Sequence, residues 1–225
     1  MVRVTQDKAV MKTKHTPVLV AIVGGSGAGK SWLADELQAM LRGQAARISL
    51  DDFYRDRSHL LPGLRSRINF DHPRAIDWDR LEQALSDCLA GRPTRLPQYD
   101  FRHHTRRAKT QILRPKRLIL LDGLWLLHRP KLRRIFDLSI FIECPAEMRL
   151  GRRLARDVKS RGRTRASVEH QFWAKVEPMH RHYVLPQAQR AEIQLKTPVS
   201  RSDVRQIAAL LTAKLNQRRT TAKVI

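Results

Sequence analysis

An eight-residue segment near the start of the chain has the residue types and spacing of a phosphate-binding loop. It reads Gly24-Gly25-Ser26-Gly27-Ala28-Gly29-Lys30-Ser31. In the pattern GxxxxGK[ST], glycines let successive backbone N–H groups point into one concavity, the lysine reaches the β- and γ-phosphates, and the hydroxyl faces Mg²⁺. A helix beginning at this loop would add a dipole that favours anions. The segment predicts binding of a nucleoside triphosphate, with a flexible glycine-rich turn as the alternative.

Carboxylates follow two apolar segments at points where strands are expected to end. Asp122 follows the apolar residues 118–121, which is typical of a side chain that holds Mg²⁺ directly or through water. Asp51 and Asp52 follow the apolar stretch that ends at Leu50, and Asp51 is the candidate general base toward an acceptor hydroxyl. Together with the loop, these residues could carry out phosphoryl transfer. Turn or helix-capping roles are the alternatives, above all for Asp52.

The elements that must position these residues are short apolar runs separated by amphipathic stretches. The predicted strands are Val18–Val23, Ala46–Leu50, Leu118–Leu121, Leu138–Ile142 and Glu192–Leu195. The predicted helices are Lys30–Arg42, Asp79–Leu89, Ala146–Ser160, Ala166–Gln189 and Ser202–Asn216, the last capped by Ser202 and Asp203. Runs that are apolar on both faces are typical of a parallel sheet covered by helices. The pattern predicts an α/β fold, a doubly wound parallel sheet of the P-loop NTPase type flanked by helices.

The chain length fits one domain with room for an insertion. We predict a disordered basic tail over 1–16, a single P-loop domain over 17–217 and a frayed C-terminus over 218–225. Segment 51–116 is too rich in turn residues to form one helix. Because ligands lie beyond the carboxyl ends of parallel strands, this insertion is predicted to hold the second substrate. No apolar stretch approaches the length of a membrane span, so no membrane partner is expected.

Charge and cysteine content narrow the possible partners. The 225 residues include 44 Lys+Arg and 21 Asp+Glu, a formal net charge of +23, and arginine outnumbers lysine 32 to 12. The basic residues are spread through every segment without an aromatic RNA-binding motif, so only nonspecific nucleic-acid adhesion is expected. A compositional bias toward arginine is the alternative. Cys88 and Cys144 have no metal-binding spacing and are predicted to be buried thiols of a cytoplasmic protein.

Several further blocks of sequence resemble the uridine kinase (uridine-cytidine kinase) family of the phosphoribulokinase/uridine kinase superfamily. They follow the family's order over most of the chain, from about residue 18 to 192. The blocks are DDFY at 51–54, NFDHP at 69–73, DWD at 77–79, PQYDF at 97–101 with His104 and Arg106, RRLARD at 152–157, RGR at 161–163, Gln171 and VEPMH at 176–180. The resemblance implies Mg²⁺-dependent phosphorylation of the 5′-hydroxyl of uridine or cytidine by ATP or GTP, in pyrimidine salvage, and a homo-oligomer.

The same resemblance implies a role for each residue of the nucleoside site. Asp51 would accept the proton of the 5′-hydroxyl, and Tyr54 would line the site. Asp71 would bind the ribose hydroxyls, with Phe70 beside it. The pyrimidine would be surrounded by Tyr99, Phe101 and His104, since a flat polar ring is selected by stacking and by a hydrogen-bonding side chain. Without the resemblance, the residues at 99 and 101 would be assigned to the core.

An arginine-rich segment over residues 152–166 corresponds to the family's lid over the triphosphate. The arginines at 153 and 156 lie three residues apart and share one face of a predicted helix. The resemblance implies triphosphate contacts from Arg153, Arg156, Arg161 and Arg163, and nucleoside contacts from Arg163 and Gln171. Arg156 and Arg161 thereby join Lys30 and Asp51 as the predicted catalytic residues. Without the resemblance, this segment would be interpreted as a solvated basic face.

The metal position is the clearest departure from the family's pattern. Family members usually carry Glu where this chain has Asp122, one methylene shorter, which predicts an extra water in the coordination shell. The loop ends in Ser31 rather than the commoner Thr, which keeps the hydroxyl. The density of His and Arg over 101–104 is also atypical, so a kinase of another small alcohol or nucleoside is an alternative. From a different class, the alternative is a basic nucleic-acid-binding P-loop NTPase.

Overall fold

The computed structural model describes residues 16–65 and 68–220. A five-stranded sheet forms its centre, in the order β2-β7-β1-β8-β9, and all neighbouring strands in it are parallel. The strands along the chain are β1 Val18–Gly24, β2 Ala45–Ser49, β3 Thr94–Leu96, β4 Tyr99–Asp100, β5 Thr105–Arg106, β6 Gln111–Leu113, β7 Leu118–Gly123, β8 Leu138–Glu143 and β9 Ile193–Lys196.

Helices cover both faces of this sheet. They are α1 Lys30–Met40, α2 Pro62–Arg65, α3 Trp78–Leu89, α4 Pro130–Arg133, α5 Ala146–Arg161, α6 Arg165–Gln171, α7 Glu177–Met179 and α8 Arg201–Thr220. Short 3₁₀ segments lie at Leu50–Phe53, Pro73–Ala75 and Leu185–Arg190, and π-helical turns at Phe172–Val176 and His180–Val184. The α1 and α8 helices pack on one face of the sheet, and α3 packs on the other.

The central strands are apolar on both faces because both are covered. In β1, Leu19, Ala21 and Val23 belong to the cluster that includes α3, whereas their neighbours Val18, Val20 and Ile22 belong to the cluster with α1 and α8. All six side chains are at most 1% exposed. The predicted α/β doubly wound parallel sheet is therefore confirmed, since strands with two buried faces are characteristic of parallel sheets.

The boundaries of several predicted elements differ from those in the structure. The second strand ends at Ser49, and Leu50 opens a 3₁₀ turn. The helix predicted over 166–189 is helical throughout but contains two π-helical turns and ends in a 3₁₀ segment. The predicted cap of the last helix is right for Asp203 but wrong for its serine, which is Ser200 rather than Ser202. Ser200 Oγ accepts the backbone N–H of Asp203 at 3.1 Å, and the Asp203 carboxylate accepts from Ser200 N at 2.8 Å, which is a reciprocal capping arrangement.

The chain ends differ partly from the prediction. The α8 helix continues to Thr220. The prediction that a frayed segment begins at residue 218 is therefore wrong. Arg218 donates to the backbone oxygen of Thr16 at 2.7 Å and pairs with Asp137 at 2.5 Å. Thr16, predicted to belong to the disordered tail, is buried. The rest of the predicted tail, residues 1–15, and residues 221–225 lie outside the described residues.

The insertion at 51–116 contains more regular structure than its turn-rich sequence suggests. Besides α2 and α3, it forms two antiparallel pairs, β3 with β6 and β4 with β5. Arg106 ties the second pair to the rest of the insertion, because its guanidinium donates to Tyr54 O at 2.9 Å and Asp77 Oδ2 at 3.0 Å. Elsewhere, Cys88 and Cys144 are buried free thiols, as predicted. None of the described helices is long and apolar enough to cross a membrane.

Candidate active site

The phosphate-binding loop joins the end of β1 to the start of α1. Gly27 has a φ of 85°, and a methyl group there would lie 2.8 Å from the backbone oxygen of Arg149, so this turn requires glycine. Gly29, at a φ of 101°, is the residue before the first turn of α1. Lys30 is folded back over the loop, where its Nζ donates to Gly25 O at 2.9 Å. The loop thus opens at a helix N-terminus, which is a site that favours anions.

The residues of the loop do not all face the cavity. Of the eight predicted to bind the nucleotide, five line it, namely Ser26, Gly27, Gly29, Lys30 and Ser31. Gly24 instead pairs with Ile142 of β8, and Ala28 is 1% exposed. Gly25 faces away as well, since a methyl group on it would lie 2.9 Å from His180 Nδ1. These three residues lie on the side of the loop that packs against the rest of the protein.

Asp122 lies at the end of β7, beside the first turn of α1. It is 3% exposed, and its Oδ2 accepts the Ser31 hydroxyl at 3.1 Å. A hydroxyl and a carboxylate are the hard oxygen ligands that Mg²⁺ takes alongside nucleotide phosphates. Among the described residues there is no group of three or more His, Cys, Asp or Glu side chains placed to hold a metal. The Ser31–Asp122 pair therefore fits a Mg²⁺ site in which a bound nucleotide would supply further ligands.

Asp51 reaches the same edge of the sheet through β2. The register pairs Ser49 with Asp122, so the carboxyl ends of β2 and β7 lie together, and Asp51 follows in the next turn. Its carboxylate lines the cavity with Lys30 and Asp122. Burial lowers the pKa of Lys30, and the two carboxylates act in the opposite direction, so they favour the charged ammonium. The cap position of this 3₁₀ turn is occupied by Ser49, not by an aspartate.

Asp52 has a different environment from Asp51. It lines a separate groove with Arg47, Ser49 and Arg114, rather than the cavity. Burial raises its pKa to about 6, a backbone hydrogen bond from Tyr99 acts in the opposite direction, and the charge of Asp51 raises it further. The neighbouring carboxylates therefore have different surroundings, and of the two it is Asp51 that lines the cavity.

Aromatic side chains line the side of the cavity across from the loop. The Tyr54 hydroxyl donates to Phe70 O at 3.1 Å, and its ring lies 5.2 Å from that of Tyr99. Tyr99 is 5% exposed and belongs to the hydrophobic core, and it also lines the cavity. Phe101 packs edge-on against it at 5.2 Å. The guanidinium of Arg161 lies over the Phe101 ring at 4.4 Å, within cation–π range.

Two polar groups complete this wall. The backbone N–H of Asp71 donates to Asn69 Oδ1 at 3.0 Å, which fixes the turn that carries its carboxylate into the cavity. Burial raises the pKa of Asp71, and the charge of Arg153 acts in the opposite direction. His104, at a φ of 54°, stacks on Phe70. Burial lowers the pKa of His104, and the charges of Arg161 and Arg163 lower it further, so the imidazole is neutral near pH 7.

A buried carboxylate organises the lid arginines. Asp157, 0% exposed, accepts from Arg156 Nε at 2.7 Å, and it pairs with Arg161 at 3.4 Å and Arg153 at 3.7 Å. Arg153 also donates to Ser26 Oγ of the loop at 2.8 Å. The arginines at 153, 156 and 161 are thus held as one group over the loop. A solvated basic face does not describe them.

The end of the lid is tied to the next helix. Arg163 donates to Gln171 Oε1 and to Ser167 Oγ, the latter at 2.7 Å. Arg153 Nη2 donates to the same Gln171 oxygen at 3.4 Å. Both Arg163 and Gln171 line the cavity. Gln171 therefore joins the two ends of the lid, through Arg153 and Arg163, at the cavity wall.

Some cavity residues were not in the sequence prediction. They are Trp32, Pro62, Arg65, Arg102, His103, Leu124, Arg152 and Ser167. Arg152, the first arginine of the lid segment, donates to Gly27 O at 3.0 Å. Asp157 and Arg47 were also missed, and both act on predicted site residues without lining the cavity. The sequence did carry a signal for Asp157, because it is the only acidic residue of the arginine-rich segment 152–166 and has several cations near it along the chain.

The chain is similar to proteins of one known family over most of its length. The model of the Phosphoribulokinase / Uridine kinase family matches residues 19–204. The chain belongs to this family. A protein named uridine kinase from Aeromonas hydrophila subsp. hydrophila is 41% identical over 186 residues, covering 80% of this chain and 87% of that protein. One of the same name from Staphylococcus carnosus is 40% identical over 180 residues, covering 80% and 86%.

Solved structures of low sequence identity share the family's fold. A putative fructose transport system kinase from Silicibacter sp. TM1040 has a TM-score of 0.65 at 22% identity, covering 81% of this chain and 90% of its own. Phosphoribulokinase from Rhodobacter spheroides has a TM-score of 0.62 at 18% identity, covering 82% and 71%. With the family match and the relatives, the fold identifies the chain as a P-loop phosphotransferase with an alcohol acceptor.

Proposed function

We propose that this family member transfers the γ-phosphoryl group of ATP to the 5′-hydroxyl of uridine or cytidine. The observation that carries the proposal is one cavity of about 670 Å³ that is lined by the phosphate loop, Asp51 and the aromatic wall. A cavity of this size suits a small ligand held by a few polar groups. The relatives named uridine kinase, at 40–41% identity, support the same substrate class.

The donor half of the cavity suits a triphosphate. The loop amides and the Lys30 ammonium would bind the β- and γ-phosphates, and the lid arginines at 153, 156 and 161 would stabilise charge on the transferring group. Ser31 and Asp122 would hold Mg²⁺, which when bound neutralises charge on the phosphate oxygens. Since the described contacts concern phosphates and not a base, GTP is an alternative donor.

Asp51 is the proposed proton acceptor. As the 5′-oxygen attacks, its bond to the γ-phosphorus forms, the bond from that phosphorus to the β–γ bridging oxygen breaks, and the hydroxyl proton passes to the Asp51 carboxylate. The products are a nucleoside 5′-monophosphate and ADP.

The acceptor half of the cavity suits a ribonucleoside. The Asp71 carboxylate would accept hydrogen bonds from the two vicinal ribose hydroxyls. The neutral His104 imidazole offers one donor and one acceptor to the edge of a pyrimidine, and Phe101 with Tyr54 offers apolar faces. A deoxyribose would leave one of the hydrogen bonds to Asp71 unmade, so discrimination against it is part of the proposal.

A panel of acceptors tests the proposal. The protein is incubated with MgATP or MgGTP and each of uridine, cytidine, adenosine, deoxyuridine, ribulose 5-phosphate, pantothenate and nicotinamide riboside, and nucleoside diphosphate release is measured. We expect the largest kcat/KM for uridine or cytidine, and a loss of at least about tenfold for deoxyuridine, corresponding to about 1.4 kcal/mol. A larger kcat/KM for any of the other acceptors would overturn the substrate assignment.

A further inference from the structure

Arg47, on the edge strand β2, contacts the metal-site carboxylate although it lies outside every sequence block that pointed to function. Its Nε donates to Asp122 Oδ1 at 2.8 Å. Its Nη1 donates to Asp35 Oδ1 of α1 at 2.5 Å. The Arg47 side chain is 23% exposed, that of Asp122 is 4% exposed and that of Asp35 is 62% exposed. The stronger constraint is therefore on the buried carboxylate, where a charge-assisted hydrogen bond is least weakened by solvent.

These contacts give the two oxygens of Asp122 different partners. Oδ1 is held by Arg47, and Oδ2 accepts the Ser31 hydroxyl at 3.1 Å. Because Ser31 and Asp35 lie four residues apart on one face of α1, the helix closes a ring through both carboxylates and Arg47. The ring fixes the rotation of the Asp122 carboxylate, and its Oδ2 is the oxygen turned to the phosphate loop.

We propose that Arg47 is a positioning residue, which orients Asp122 so that one oxygen is kept for the metal beside Ser31. The inference rests on the proposed metal role of Asp122. Because an aspartate is one methylene shorter than a glutamate, it has fewer conformations in which its carboxylate can reach the metal. The orientation of the Asp122 carboxylate therefore matters more. A fixed carboxylate binds without first losing rotational freedom, which is the general advantage of preorganised ligands.

The positive charge of Arg47 should weaken Mg²⁺ binding, whereas its orientation of Asp122 should strengthen it. The test must separate these two effects. A cation beside Asp122 repels Mg²⁺, so a purely electrostatic role predicts tighter metal binding when Arg47 is removed. Asp35 supplies a compensating negative charge at the other end of the guanidinium. Replacing both residues, in Arg47→Met with Asp35→Asn, leaves the local net charge unchanged. Weaker Mg²⁺ binding in this double variant therefore reports on orientation, because loss of the nearby cation would by itself strengthen binding.

The test measures Mg²⁺ binding without turnover. The melting temperature of the wild type and the double variant is followed with a non-hydrolysable ATP analogue as Mg²⁺ is titrated. We expect the Mg²⁺ concentration for half-maximal stabilisation to rise about tenfold in the double variant, equivalent to about 1.4 kcal/mol. We expect a rise of less than about threefold in Asp35→Asn alone, because this carboxylate is mostly exposed.

Two further variants keep the result specific. Arg92→Met is the control, because Arg92 forms a similar ion pair with Asp87 at 2.7 Å and neither residue lines the cavity. This variant should leave the Mg²⁺ titration unchanged. Arg47→Lys can still donate to Asp122 and should recover part of the loss. An unchanged or lower Mg²⁺ requirement in the double variant would overturn the proposal. A wild type that binds the MgATP analogue but phosphorylates no pyrimidine nucleoside would overturn only the proposed function.

Discussion

Phe70 and His104 stack face to face, with ring centroids 4.4 Å apart and planes inclined by 11°. The stack joins the turn after residue 68 to the loop between β4 and β5, so two parts of the insertion meet at the cavity wall. Because its ring is held by this stack, His104 can present its edge in a fixed direction. A flat, polar base is selected by groups with such fixed directions.

His104→Ala should impair binding of the nucleoside more than the chemical step. We expect the KM for uridine to rise about tenfold or more, since the buried site would lose a hydrogen-bonding partner and the stack on Phe70. The KM for ATP should stay within about twofold. Steady-state kinetics with each substrate varied in turn measures both quantities. His170→Ala, an exposed histidine of α6 that does not line the cavity, is the matched control; an equal effect there would contradict the assignment.

Asp51→Asn should reduce turnover far more than nucleotide binding. The amide cannot accept the hydroxyl proton, and loss of a general base typically costs about 10²- to 10⁴-fold. Stabilisation of the protein by the MgATP analogue should be retained. Single-turnover rates and thermal shift measure these separately. Asp52→Asn, the neighbouring change outside the cavity, should lower kcat by less than about tenfold; a larger loss at residue 52 than at residue 51 would reverse their roles.

Asp157→Asn should release the arginines at 153, 156 and 161 from one another. The amide can still accept hydrogen bonds but has no charge, so the three guanidinium groups would repel each other. We expect kcat to fall by about tenfold to a hundredfold, the range of about 1.4 to 2.7 kcal/mol. Asp87→Asn removes the carboxylate of the exposed pair with Arg92 and is the control. Unchanged turnover in Asp157→Asn would show that the lid does not depend on this carboxylate.

Asp52 should make stability depend on pH. Because burial raises its pKa in the folded protein to about 6, above the ordinary value of 3.8, the folded state binds the extra proton between these values. Its contribution to stability is therefore full below about pH 4 and is lost as the pH rises through about 6. The melting temperature of Asp52→Asn relative to the wild type should rise between about pH 4 and pH 7. A constant or falling difference would contradict the shifted pKa.

The central strands could be predicted from the sequence within a few residues because they are apolar on both faces. The strands β3 to β6 could not, since each has two or three residues and is stabilised by contacts between distant segments, such as those of Arg106. The phosphate loop could be predicted from its residue spacing, and the neighbouring carboxylates from their place directly after apolar strands. The contact from Arg47 to Asp122 does not, because it depends on which strand lies beside β7 and on the reach of a long side chain.

The acceptor atom is the most direct test of the proposed function. Uridine and 5′-deoxyuridine, which lacks only the 5′-hydroxyl, are incubated with MgATP and the wild type, and products are identified by ³¹P and ¹H NMR. We expect uridine 5′-monophosphate from uridine, no phosphorylated product from 5′-deoxyuridine, and no product from either with Lys30→Ala. Phosphorylation of the 2′- or 3′-hydroxyl, or of 5′-deoxyuridine, would contradict the proposed function.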